Sequence, residues 1–132
     1  MLAAAAWIAM LVGSGFGERQ AAAIARFSAV ESSPERGAFH LSMPLDPCAH
    51  SWRGEGLLGV TQRLRWELHE FAGAADLDHL TFDVPRGACV SASMQAAYLA
   101  QAFPRHYPVC AAEFARGDLG AFKRCWGEGH SR

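Results

Sequence analysis

Four cysteines, Cys48, Cys89, Cys110 and Cys125, are the residues of this 132-residue chain with the clearest capacity for chemistry. None stands in a C-x-x-C pair. Zinc and redox centres draw on such close pairs, so the spacing disfavours a metal. An even count in a small exported chain points to two disulfides. Three pairings are open, and spacing does not choose among them. A Cys110–Cys125 bridge would close a loop of about fifteen residues, worth about 3 kcal/mol by loop entropy. In a reducing compartment the same four residues would be buried thiols.

The six histidines, His40, His50, His69, His79, His106 and His130, offer acid–base or metal chemistry. His69-Glu70 lacks the second histidine, four residues on, that a zinc helix needs. Cys48 and His50 lack partners at a spacing that completes a tetrahedral site. A Cys–His nucleophile requires an acidified thiol at a helix N-terminus, and Cys89 is the only cysteine so placed. Asp76, Asp78 and Asp83 could supply paired carboxylates, but a solvated acidic loop explains them more simply. Gly13-Ser14-Gly15-Phe16-Gly17 is glycine-rich, yet it follows an apolar run and not the strand of a nucleotide-binding unit. The reading is therefore no enzyme, no cofactor and no metal.

Composition sets the scale for the elements that position these residues. The chain is 51% hydrophobic and 19% charged with a net charge of -1, which is ordinary for one globular domain and gives no attraction to nucleic acid. Eleven arginines against one lysine, and no asparagine, read as coding bias from a GC-rich genome.

Three helical segments stand out. Gly54 to Ala72 sets Leu57, Leu58, Thr61, Leu64, Leu68 and Phe71 at helical spacing, with Arg63, Arg65, Glu67 and Glu70 largely off that face. Gly73 is its expected C-cap. Ser91 or Ser93 to Phe103 forms the next helix, serine-capped, with Val90, Met94, Ala97, Tyr98 and Ala102 inward and Pro104 at its end. Val109 to about Arg116 forms the third. Gly117 stops it, and Asp118 caps a further turn or two carrying Leu119, Phe122 and Cys125. Residues 74–87 read as an acidic linker broken by Pro85. Residues 39–43 alternate and read as one short strand. The expected fold is all-α, a small bundle of three to four short helices stapled by two disulfides.

Leu2 to Val12 is an unbroken apolar run of about eleven residues, whereas a spanning helix needs roughly 20. Small residues follow at Gly13, Ser14, Gly15 and Gly17. This is the pattern of a secretory leader cleaved after Gly17, although no Lys or Arg precedes the run. Two other readings stand beside it: an uncleaved anchor, or an Ala-rich buried helix continuing through residues 18–24. The expected organisation is a leader over 1–17, an irregular or partly helical lead-in over 18–52, a helical domain over 53–126 and a flexible tail over 127–132.

Trp52 lies in irregular chain, and Trp66 falls off the apolar face of its helix. Exposed Trp and Arg are common interface anchors. Trp52, Arg53, Arg65 and Trp66 are therefore the candidate partner-binding residues.

Residues 48–126 carry a pattern of Gly56-Leu57-Leu58-Gly59-Val60, then Val84-Pro85, then Val90-Ser91 with Gln95, Tyr98-Leu99 and Pro104, and finally Ala111-Ala112, Phe122 and Cys125-Trp126. In order and spacing this resembles the small periplasmic immunity proteins that neutralise type VI secretion amidase effectors, the Tai group. That family places a cysteine just before the proline, where this chain has Phe82-Asp83, with Cys89 beyond it. The resemblance implies a periplasmic or secreted module that binds another protein, such as a secreted cell-wall hydrolase. The other expectation is a membrane-anchored structural accessory, which requires the N-terminal segment to stay uncleaved.

Overall fold

The computed structural model describes residues 2–32, 44–51, 54–59, 62–75, 80–83 and 87–127. Among these, seven helical segments form one core: α1 Ala4–Gly13, α2 Glu18–Ser32, α3 Gln62–Ala75, α4 Ala92–Gln101, α5 Phe103–His106, α6 Pro108–Ala115 and α7 Leu119–Gly127. Short strands pair antiparallel at the margins: β1 Leu2–Ala3 with β2 Pro44–Leu45, β3 His50–Ser51 with β4 Gly54–Glu55, and β5 Leu80–Asp83 with β6 Gly87–Val90. The fold is all-α in class and carries two disulfides, as expected. Its helices outnumber the three or four read from the sequence because α1 and α2 fill the N-terminal region and α5 is a separate single turn.

Alanine is the strongest helix former, so the apolar run at the start folds as α1. Ala4, Trp7 and Leu11 recur at helical spacing and are fully buried. Trp7 Nε1 donates to Ser28 Oγ of α2 at 3.0 Å, which gives the buried indole N–H its partner. The small residues that suggest a cleavage site make a turn. Ser14 N–H donates to the Met10 and Leu11 carbonyls, and Gly15 adopts φ 114°, a conformation other residues avoid. Gly17 N–H then donates to Gln20 Oε1 at 3.2 Å, half of a capping box that starts α2. Ala21, Ile24, Ala25 and Ser28 turn inward from α2. The segment that the leader reading assigns to 1–17 thus packs against α2 and α4.

Two element boundaries differ from expectation. Leu57 and Leu58 are buried, but in a turn ahead of α3 and not in its first turns. Gly56 and Gly59 carry φ of 76° and 60°, which ends any helix there. α3 then runs on through Gly73 to Ala75. The expected acidic linker holds the β5–β6 hairpin, registered Leu80 to Val90 through Asp83 to Gly87. The strand expected over 39–43 lies outside the described residues, as does the tail beyond Gly127.

Elsewhere the punctuation acts as read. Ser91 Oγ accepts from Met94 N–H to cap α4. Gly117, at φ 84°, follows α6, and Asp118 Oδ1 accepts from Ala121 N–H at 2.9 Å to start α7. An aromatic centre joins these helices: Phe103 lies 5.1 Å from Trp126 and 6.0 Å from Phe122 between ring centroids, and Phe27 of α2 meets Phe122 at 5.5 Å. Edge and tilted ring contacts at such separations are favourable beyond area burial.

Candidate functional site

All four cysteines are paired, Cys48 with Cys89 and Cys110 with Cys125, at Cα separations of 5.4 and 5.8 Å. Cys89 therefore carries no thiol for nucleophilic chemistry. Two disulfides in a domain of this size point to an oxidising, extracytoplasmic compartment. Among the described residues no group of three or more His, Cys, Asp or Glu is arranged to hold a metal ion. No helix among them is long and apolar enough to cross a membrane.

Trp66 is the predicted partner residue that the structure displays. Leu64, Leu68 and Ala72 face the core from α3, four residues apart, so Trp66 turns outward and is 63% exposed. Trp7 and Trp126, by contrast, are buried. Glu70 and Gly73, at the next turns of the same face, are exposed too. A β-carbon built on Gly73 would meet nothing within 4 Å. Arg65 adjoins Trp66 in α3, but its side chain lies outside the described residues, as do Trp52 and Arg53.

The helix that displays Trp66 is fixed from below. Tyr107, at the α5–α6 junction, donates its hydroxyl to Glu67 Oε1 at 2.8 Å. Tyr98 of α4 donates to Glu67 Oε2 at 3.4 Å. Both phenols are buried, and Phe71 adds an edge contact to Tyr98 at 5.9 Å. Burial pushes the Tyr98 phenol far above its ordinary value, and the Glu67 charge, the neighbouring Tyr107 and the hydrogen bond to Glu67 push the same way. Glu67 thus ties α3 to α4 and to the α5–α6 corner. Sequence spacing set Glu67 largely off the apolar face. The one signal for its role in the sequence is Tyr98 on the inward face of its helix, since a buried hydroxyl requires an acceptor.

A second hub is buried in the first turn of α4. Gln95, 2% exposed, accepts from Leu57 N–H and donates to the carbonyls of Pro47 and Val90, at 2.8, 2.9 and 2.9 Å. Its amide joins three chain segments beside the Cys48–Cys89 bridge. Trp126 Nε1 donates to Leu58 O at 3.0 Å and closes the same turn from the other side.

Comparison of the chain with protein-family models, with curated proteins and with solved structures finds no match.

Proposed function

We propose that the protein is a binding module of the periplasm or the secreted space that acts by occupying another protein, such as a secreted cell-wall hydrolase, in the manner of an immunity protein. The observation that carries this reading is Trp66, a 63% exposed tryptophan on a helix tied to its neighbours by partly buried hydrogen bonds. A large aromatic exposed on a rigid element offers contact area at little ordering cost, which is the profile of an interface anchor. The disulfides agree with an extracytoplasmic site of action. The module turns over no substrate of its own and binds no nucleic acid.

The test is inhibition of secreted peptidoglycan amidases by the oxidised protein, with Trp66→Ala alongside. Stoichiometric inhibition that the variant loses supports the reading. No inhibition and no complex with any such hydrolase overturns it. The anchored-accessory reading draws no support from α1, which has ten residues and turns Trp7 and Leu11 into the core.

A further inference from the structure

A recess of about 260 Å³ opens between the α1–α2 turn and α4 to α7, away from the α3 face used in the proposed function. Phe16, Leu99, Phe103, Phe114 and Phe122 line it. Its one polar wall is Gln20, whose amide is held by Gly17 N–H and by the Ala115 carbonyl. Beyond Gln20 and Ala115 the surface continues as a wider groove of about 760 Å³ that carries Arg19, Arg116 and Glu18. Neither arginine forms an ion pair with a described residue.

An apolar recess with few polar groups at its edge is the usual form of a small-molecule site. Dry apolar cavities of about 150 Å³ accept benzene, so by the same ratio about ten carbons would fill this one. The two arginines outnumber the single glutamate at the mouth, which favours an anionic head over a neutral or cationic one. We propose that this site binds a free medium-chain carboxylate, with the alkyl tail among the phenylalanines and the carboxylate between Arg19 and Arg116. Such a ligand joins α2 to α6 and α7 across the groove.

Calorimetric titration of the oxidised protein with sodium decanoate, below its micelle concentration, tests this. Saturable one-to-one binding is expected. Ala111→Trp fills the recess and should weaken binding at least tenfold. Ala115→Trp starts from an exposed position, roofs the passage without entering the core, and should do the same if Ala111→Trp fails to fold. The double change Arg19→Gln and Arg116→Gln should weaken decanoate about tenfold and leave decanol binding unchanged. No saturable binding, binding indifferent to both tryptophan variants, or equal losses for decanoate and decanol would each overturn the proposal. Capture of the protein by phosphatidylglycerol vesicles without binding of free decanoate would overturn it too, since the recess would then serve a lipid surface.

Discussion

The side-chain amide of Gln95 accepts the backbone N–H of Leu57 at 2.8 Å, across thirty-eight residues of chain. The close approach requires Gly56. A β-carbon there would stand 2.7 Å from Gln95 Oε1, and Gly56 already sits at φ 76°. The glycine and the glutamine are thus one device. It places Leu57 and Leu58 in the core by a turn and sets the start of α3 behind them.

Replacing Gln95 by leucine leaves the Leu57 N–H and two carbonyls buried without their partner. The expected loss is roughly 2–4 kcal/mol, because buried unpaired groups cost about 1–3 kcal/mol each and some will recruit water. Gly56→Ala should also destabilise, through its clash and its left-handed backbone. Urea unfolding of both variants and of the double variant checks the link. Losses that add without coupling would show that the two residues act separately.

Tyr98 gives a pH prediction. Its phenol is held protonated in the folded protein well beyond the ordinary value near 10, whereas the unfolded chain ionises there. The folded state therefore holds an extra proton above that pH, so stability is full below about pH 10 and falls as pH rises past it. Tyr98→Phe should cost about 0.5–1.5 kcal/mol at neutral pH and flatten the alkaline decline. Phenolate absorbance during an alkaline titration provides the check. Tyr98 ionising near pH 10 with the fold intact would refute the burial argument.

The two disulfides should differ in reactivity. Cys110 is fully buried, while Cys48 is half-buried. Graded reduction with alkylation and peptide mapping should open Cys48–Cys89 first. Replacing each pair by alanines should cost about 3 kcal/mol for the 15-residue separation and about 4 kcal/mol for the 41-residue one. Simultaneous opening of both bridges would show that the fold yields globally before either bond is reached.

Trp66→Ala should leave stability within about 0.5 kcal/mol, since the side chain is exposed. Glu67→Leu should cost about 2 kcal/mol, because the Tyr107 hydroxyl loses its acceptor. Thermal melts of the two variants side by side separate display from support. A large loss in Trp66→Ala would mean that the tryptophan serves the fold.

The helices from Ser91 onward were legible because their signals are local: a serine cap, Pro104 between segments, Gly117 after α6 and Asp118 before α7. The number of disulfides followed from cysteine count and context, but their pairing depends on which segments meet. The start of α3 was misread because Leu57 and Leu58 keep helical spacing with Leu64 and Leu68 while two positive-φ glycines interrupt the chain. Spacing alone does not see φ. The hairpin at Leu80–Val90 is a local pairing, but its strands are only four residues each and Asp83 and Pro85 together carry the composition of a linker. Glu67 meets tyrosines 31 and 40 residues on, and Gln95 meets Leu57 and Pro47 38 and 48 residues back, beyond the reach of any local pattern. The apolar run at the start fits a leader and a buried helix equally well, because both need only apolar, helix-forming residues.

That last ambiguity bears on the whole account. α1 supplies Ala4, Trp7 and Leu11 to the core, so a domain cut after Gly17 would lose the face on which α2 and α4 pack. The most direct measurement is the intact mass of the protein purified from its host, alkylated before and after reduction and followed by mapping of cross-linked peptides. The expected result is a chain that retains residues 2–17, has no free thiol, and links Cys48 to Cys89 and Cys110 to Cys125. A chain with four alkylated cysteines before reduction would contradict the oxidised domain on which the functional proposals rest, whereas a chain beginning at Glu18 would contradict only the α1-containing core.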